Sequence, residues 1–452
     1  MRRTACISTS SRLQIRLWIA GLAALFIATG VGWLINSHHL AAPTSIARHP
    51  SGPGPRSYAD AMLELDRNVQ EADEIRLVQS RQWIFEERYA QALIARGRLT
   101  GSFADYATAQ AALDRAFAEA PEGAGPHLAQ LALDFGMHRL ARAEKMAGMI
   151  ARYAVPDPIT ESEAQLTSGD IAFYRGNYVG ALDQYRRIGG DGNDAGSLLR
   201  IAYALSRTGK PDEALALIDR CERAARLPSA QFLADLALRR GTIELQRGRW
   251  SEASRHFDRA ARVFPGWWLS EAHKAQMLAL TGQSLRAISA YLSIARTSGS
   301  PETMDILASL YRAAGDRDRS AFWADQARII WNNRLRAFPE ATYGHAVEHL
   351  LAFGDPALAL SLARRDYANR PYGMTATALV WALIANNEPG AALAVIDPVL
   401  RSPWVSAESR LAAAQAHLLL GQVDQAETER QAALEINPHA ADRTASLAWF
   451  GH

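Results

Sequence analysis

Five residues in the second half of the chain have the types and spacing of a metal site. The stretch HAVEH contains His345, Glu348 and His349 and matches the pattern H-x-x-E-H of zinc peptidases. On a helix, histidines four residues apart share one face and could hold one metal ion. The sequence therefore raises zinc-dependent peptide hydrolysis as a hypothesis for this histidine patch, which the surrounding elements must test.

The composition is that of a folded chain with little net charge. The 452 residues are 48% hydrophobic and 21% charged, which is enough to bury a large core. A formal net charge of +2 does not favour a nucleic-acid partner. Among the 49 basic residues only Lys145, Lys210 and Lys274 are lysines, a bias that we associate with GC-rich bacterial genomes. We expect no disulfide, because Cys6 and Cys221 lie on opposite sides of a long apolar segment.

That apolar segment has the features of a membrane anchor. Residues 1–16 form a short basic segment, and residues 17–35 contain no charge over 19 positions, enough for a helix to cross a bilayer. The arginines before it predict a cytoplasmic amino terminus and a periplasmic remainder. A cleaved signal peptide is the alternative. Residues 36–57, rich in Pro, Gly, Ser and His, are predicted to be a flexible linker. The sequence thus predicts a single-pass protein of the bacterial inner membrane.

The rest of the chain repeats a helical pattern about every 34 residues. The phrases GDIAFYRGNYVGALDQY from Gly169, GTIELQRGRWSEASRHF from Gly241 and AQAHLLLGQVDQAETERQAALEINP from Ala414 align. Each has a small residue, a glycine seven positions later and an alanine five positions after that glycine. Units begin at residues 162, 195, 234, 268, 301, 340, 373 and 407. A fixed period of this kind predicts stacked helix pairs rather than an ordinary helical bundle.

This pattern resembles the tetratricopeptide repeat. The turn glycine of that family falls on Gly176, Gly209, Gly248, Gly282, Gly315, Gly354 and Gly421, with Asn387 in its place once. The small residue of the second helix falls on Ala181, Ala214, Ala253, Ala287, Ser320, Ala359, Ala392 and Ala426, and the closing proline on Pro265, Pro371 and Pro438. The resemblance implies an all-α, right-handed superhelical α-solenoid of about ten helix pairs. We assign degenerate repeats and a cap to 58–161, eight repeats to 162–440 and a capping helix to 441–452.

The same resemblance implies a protein-binding scaffold, not an enzyme, with a peptide in the concave groove formed by the first helices. The family register places six candidate residues in or beside this groove: Phe173, Tyr174, Arg200, Tyr203, Arg207 and Arg239. Guanidinium groups beside aromatic rings suit an acidic or carboxylate-ended peptide. The alternative is that these residues are solvated arginines and half-buried tyrosines. We predict protein partners in envelope assembly or complex biogenesis, no nucleic acid and no cofactor.

The repeat register argues against the peptidase hypothesis. It places the histidine patch on the first helix of the unit that begins at residue 340. The candidate third zinc ligand, Glu427, lies two units further on and therefore roughly 20 Å away, whereas a zinc bond measures about 2 Å. A smaller version stays open, because Asp305 or Glu302 on the preceding first helix could approach the patch and complete a metal or ligand site. The alternative is a pair of histidines whose polar atoms are satisfied within the fold.

Overall fold

The computed structural model describes residues 52–79, 81–155, 157–189, 192 and 194–442. Within these residues all regular secondary structure is helical, in 21 α-helices. Their bounds are α1 Tyr58–Val78, α2 Trp83–Thr100, α3 Phe103–Glu119, α4 His127–Gly136, α5 Leu140–Ile150, α6 Pro158–Tyr174, α7 Tyr178–Ile188, α8 Ala195–Arg207, α9 Pro211–Ala224, α10 Ala230–Gln246, α11 Trp250–Val263, α12 Trp268–Leu280, α13 Ser284–Ser298, α14 Pro301–Ala313, α15 Arg317–Ala337, α16 Pro339–Phe353, α17 Pro356–Asn369, α18 Gly373–Ala385, α19 Pro389–Arg401, α20 Ala407–Leu419 and α21 Val423–Ile436. After α1, they pack as ten successive pairs, each pair against the next.

The predicted turn residues end the first helix of each pair. Gly176, Gly209 and Gly248 have φ angles of +80°, +77° and +70°, and Asn387 takes the same left-handed conformation with φ +62°. Glycine adopts this conformation at low cost, which is why it ends helices so often. Gly354 departs from the prediction, with a φ of −127°. Here the following Asp355 starts the next helix at once, because its carboxylate accepts a hydrogen bond from the amide of Ala357.

The small residues of the second helices lie where two helices approach each other. Ala181, Ala214, Ala253 and Ala287 are all fully buried. A side chain larger than a methyl group would push the paired helices apart at these points. Ser320 holds the same position in its unit, and its hydroxyl donates to the carbonyl of Ala308 at 2.8 Å. The sequence pattern therefore predicted the pairing of the helices and the reason for it.

The solenoid is wound so tightly that its two turns contact each other. We define the first turn as residues 58–298 (α1–α13) and the second turn as residues 301–436 (α14–α21). The amide of Asn369 donates to the carbonyl of His138 at 2.8 Å, and the backbone amide of Gly373 donates to the Tyr178 hydroxyl at 3.0 Å. Further along, the amide of Val405 donates to a carbonyl at the end of α8. Each contact joins residues nearly 200 positions apart or more, which no local sequence pattern indicates.

The first turn also closes on itself. The amide of Tyr58, at the start of α1, donates to the carbonyl of Pro265 at 3.0 Å. The indole of Trp268 donates to the carbonyl of Leu99, near the end of α2, at 3.3 Å. The amino-terminal helices therefore meet the segment between α11 and α12, and the first helices of the first turn surround a lumen.

The predicted location in a membrane needs correction. In the part of the chain that the structure describes, no helix is long and apolar enough to cross a membrane. The single-pass inner-membrane location with a periplasmic remainder is therefore not supported. The segments 1–16 and 17–35 on which this prediction rested lie outside the described residues, as do residues 36–51 of the predicted linker and residues 443–452 of the predicted capping helix.

Candidate functional site

The lumen of the first turn contains a cavity of about 390 Å³, which we call the central cavity. It is lined by the first helices α2, α4, α6, α8 and α10, together with α1 and single residues of α3 and α7. Five of the six predicted groove residues line it, namely Phe173, Tyr174, Arg200, Tyr203 and Arg239. These five residues therefore share one continuous surface, which lines a cavity that is partly open to solvent.

Arg200 is occupied by ion pairs within the fold. Its Nη2 lies 2.8 Å from Glu163 Oε1, and its Nε lies 2.8 Å from Asp170 Oδ2. The hydroxyl of Tyr185 donates to the other Asp170 oxygen at 2.7 Å. Burial raises the pKa of Asp170 to about 6, against the opposing effect of Arg200. Arg200 thus bridges α8 to α6, and its positive charge is already compensated.

Phe173 and Tyr174 fill the contact between the two turns. Phe173 is only 1% exposed, and its ring centroid lies 5.1 Å from that of Tyr178 and 6.4 Å from that of Trp404 in the second turn. Tyr174 meets Tyr372 edge to face at 5.1 Å. Rings at these separations and angles attract each other beyond their burial of apolar surface. These two predicted residues therefore hold the turns together at one edge of the central cavity.

Three predicted residues meet at a second, smaller pocket between α8 and α10. Tyr203, Arg207 and Arg239 line this α8–α10 pocket, which has a volume of about 60 Å³. Its remaining walls are mostly apolar and include Leu199, Ala202, Leu238, Ile243 and Leu269. A space of this size holds a few waters or one small apolar side chain. The pocket therefore combines an apolar floor with two guanidinium groups.

The two arginines of the α8–α10 pocket differ in their partners. Arg239 Nε lies 2.7 Å from Asp235 Oδ2, one turn earlier on the same helix. The Arg207 guanidinium lies over the rings of Tyr203 and Trp404, 5.4 Å and 5.8 Å from their centroids. It makes no ion pair with any residue that the structure describes, and its Nε has no hydrogen-bond partner there. Arg207 is therefore the one of the six candidates whose charge is open to an anionic group.

The histidine patch is built into the packing of the second turn. His349 Nδ1 lies 2.7 Å from Asp305 Oδ1, so Asp305 does approach the patch as the sequence suggested. The other oxygen of Asp305 accepts from the indole of Trp331 at 2.8 Å. The ring of His345 stacks on that indole, with the centroids 5.4 Å apart. Burial lowers the pKa of His345 to about 4, so this ring is neutral at neutral pH.

No metal centre assembles around these histidines. Across the described ranges, no three His, Cys, Asp or Glu residues are grouped so that they could hold a metal ion. Glu348 Oε2 lies 3.9 Å from His345 Nδ1, on the same helix face. Asp305 is already shared between a histidine and an indole, so the motif serves the packing of neighbouring helices.

Sequence reasoning missed several residues of the central cavity, among them Arg98 and Tyr106. Both lie between residues 58 and 161, where the repeat pattern is degenerate. A usable signal was Gly101, which ends α2 with a φ of +75°, as the turn glycines end later first helices. Counting back from it puts Arg98 at the twelfth position of its unit, a groove position in the later units. The repeat register could therefore have been extended to a unit that ends its first helix at Gly101.

Several solved structures align with this chain at low sequence identity. No protein-family model and no curated protein matches the sequence. Among solved structures, the APC/C hetero-tetramer Cut9-Hcn1 aligns at 15% identity over 87% of this chain and 94% of that chain, with a TM-score of 0.36. A tetratricopeptide repeat protein from Parabacteroides merdae aligns at 14% over 56% and 98%, with a TM-score of 0.33. MamA aligns at 18% over 37% and 96%, with a TM-score of 0.30.

The helix pairs, the left-handed turn residues and the buried alanines give the chain the α-solenoid fold that the resemblance to the tetratricopeptide repeat implied. The stack of helix pairs expected from the sequence is therefore confirmed in the described part of the chain.

Proposed function

We propose that this protein is a scaffold that binds segments of partner proteins inside its first turn. Stacked helix pairs present extended surfaces to a partner, and this general property supports the class. One observation carries the proposal: in the α8–α10 pocket an apolar floor lies beside Arg207, which has no anionic partner among the described residues. Such a scaffold would serve the assembly of a protein complex.

The chemistry of the α8–α10 pocket defines the partner segment. An apolar side chain would fill the floor, and a carboxylate beside it would accept hydrogen bonds from the Arg207 guanidinium. A guanidinium stacked on aromatic rings is held in place, so little side-chain entropy is lost when it binds. Arg239 lies at the same pocket and adds positive charge, although Asp235 already partners it. We therefore expect an acidic segment that contains at least one apolar residue.

The proposal can be tested by selecting ligands from a random peptide library on the purified full chain. We expect the enriched peptides to combine acidic and apolar residues. Binding measured by calorimetry should weaken about tenfold or more in Arg207→Gln, because a charge-assisted hydrogen bond contributes about 1.5 to 3 kcal/mol. Arg239→Gln should have a smaller effect.

The matched control is Arg223→Gln, which changes an exposed arginine on α9 outside both cavities. Thermal unfolding of each variant reports whether its fold is intact, and Arg239→Gln remains informative if Arg207→Gln does not fold. Failure to enrich any peptide, or equal affinity in wild type, Arg207→Gln and Arg239→Gln, would contradict the proposal.

A further inference from the structure

One arginine of the central cavity has no direct ion-pair partner in the described part of the chain. Arg98 lines the cavity from α2 and makes no hydrogen bond or ion pair with any residue that the structure describes. Arg200 and Arg239 line the same cavity, but carboxylates pair with both. Burial lowers the pKa of Arg98, while Tyr106 and Glu163 nearby oppose that shift. The Arg98 side chain is half-buried, so a carboxylate in the cavity would pair with it directly.

The other unused polar groups of the cavity wall can also donate hydrogen bonds. Tyr106 is 3% exposed, and its hydroxyl makes no hydrogen bond to any described residue. The Tyr203 hydroxyl and the Trp267 indole nitrogen are buried and likewise have no partner within the described ranges. Buried polar groups are paired in most proteins, so several unpaired donors around one cavity favour a ligand that is rich in acceptor atoms.

Three of the carboxylates that line the cavity are already paired with arginines. Glu163 and Asp170 are paired with Arg200, and Asp235 is paired with Arg239. The remaining one, Glu64, is exposed to solvent. Four carboxylates and three arginines line the cavity, so its walls carry no excess positive charge. Of these three arginines, only Arg98 makes no ion pair with a described residue, so a ligand with one negative charge fits better than a dianion such as a phosphate monoester.

Size and wall composition limit the rest of the ligand. A volume of about 390 Å³ lies toward the small end of the range for small-molecule sites. Phe173, Tyr174 and Tyr185 contribute aromatic rings to the wall. We propose that the central cavity binds a compact organic monocarboxylate, with its carboxylate on Arg98 and Tyr106 and its apolar body against these rings. This site uses a different cavity, anchor residue and ligand from the peptide site proposed above.

A panel of aromatic monocarboxylates tests the assignment, using 4-phenylbutyrate, indole-3-propionate and cinnamate as probes on the purified full chain. We expect at least one to bind with one-to-one stoichiometry in calorimetry. Arg98→Gln should weaken that binding about tenfold or more, and Arg98→Lys less, because it keeps the charge but loses the planar fork. Ala95→Trp, which places bulk in the cavity wall beside Arg98, should also reduce binding.

Matched controls establish whether binding depends on this cavity and on a single carboxylate. Arg88→Gln changes an exposed arginine on the same helix and should leave binding unchanged. The uncharged 4-phenylbutyramide should not bind measurably, and phenyl phosphate should bind at least several-fold more weakly than the carboxylates. Arg207→Gln should not change carboxylate binding, and Arg98→Gln should not change peptide binding. Absence of saturable binding by the whole panel, equal affinity in folded Arg98→Gln, or tighter binding of phenyl phosphate would overturn the assignment.

Discussion

At the scale of single residues, burial and neighbours decide what a side chain can do. HAVEH has the spacing of a zinc motif, yet His345 stacks on Trp331 and His349 is bound to Asp305. Both partners come from neighbouring helices of the solenoid. The sequence could predict that the two histidines share a helix face, because that follows from helical periodicity. It could not predict which side chains of other helices would meet that face.

Burial of His345 predicts a measurable sensitivity to acid. The pKa of His345 is about 4 in the folded protein, and a histidine in an unfolded chain has a pKa of about 6.5. As the pH falls from 6.5 toward 4, the unfolded chain gains a proton that the folded protein does not, so stability falls. His345→Gln should remove about 2 to 3 kcal/mol of the stability lost between pH 7 and pH 4.5. Urea unfolding at both pH values measures this difference.

The same substitution at the partly exposed His417 is the matched control. An identical pH dependence of the unfolding free energy in wild type and His345→Gln would show that the histidine is solvated and not part of the core.

The groove candidates show the same limit of prediction. The repeat register selected Phe173, Arg200, Tyr203 and Arg239, and all four line the central cavity. It could not show that Glu163 and Asp170 compensate Arg200, since ion pairing depends on side-chain conformations across two helices. Nor could it separate Arg200 from Arg207, whose charge has no such partner among the described residues.

At the scale of elements, the turn between paired helices is the most predictable feature. Seven of the eight predicted turn positions have positive φ, and Gly354 is the exception. The local pattern does not reveal that some of these loops between paired helices also contact distant parts of the chain. A Cβ added to Gly176 would lie 2.8 Å from the carbonyl oxygen of Pro371 in the second turn, whereas one added to Gly282 would have no atom within 4 Å.

These two glycines provide a matched pair of substitutions. Gly282→Ala should cost about 1 to 2 kcal/mol of stability, because an alanine in the left-handed conformation is strained. Gly176→Ala should cost more, since it adds a collision with the backbone of Pro371 to the same strain. Denaturant unfolding of both variants gives the comparison. Equal losses of stability in the two variants would mean that the loop after α6 does not contact the second turn of the solenoid.

At the scale of the whole molecule, the two turns form one packed unit. The contact cannot be predicted from the repeat, because small rotations between successive pairs accumulate and decide whether turns touch. Trp404 is central to it: the side chain is 4% exposed and lies near Tyr178, Phe173 and Tyr372. A large hydrophobic core shared by residues of both turns follows from this arrangement.

Truncating this tryptophan should weaken the contact between the turns. Trp404→Ala should lower the free energy of unfolding by about 3 to 5 kcal/mol, as for other buried tryptophans. It should also speed hydrogen exchange in α18 and α20 more than in α12 and α14. The control is Trp323→Ala, which changes a partly buried tryptophan on α15. Exchange that speeds up equally in all four helices would indicate a general loss of stability without a specific role at this contact.

The central claim is that a partner segment binds inside the first turn, at the α8–α10 pocket. Hydrogen-exchange mass spectrometry of the full chain, with and without a selected acidic peptide, tests this claim most directly. We predict slower exchange in α8 and α10, with α15 and the other helices that do not line the pocket unchanged. Protection confined to helices such as α11, α13 or α15, with α8 and α10 unaffected, would contradict the claim.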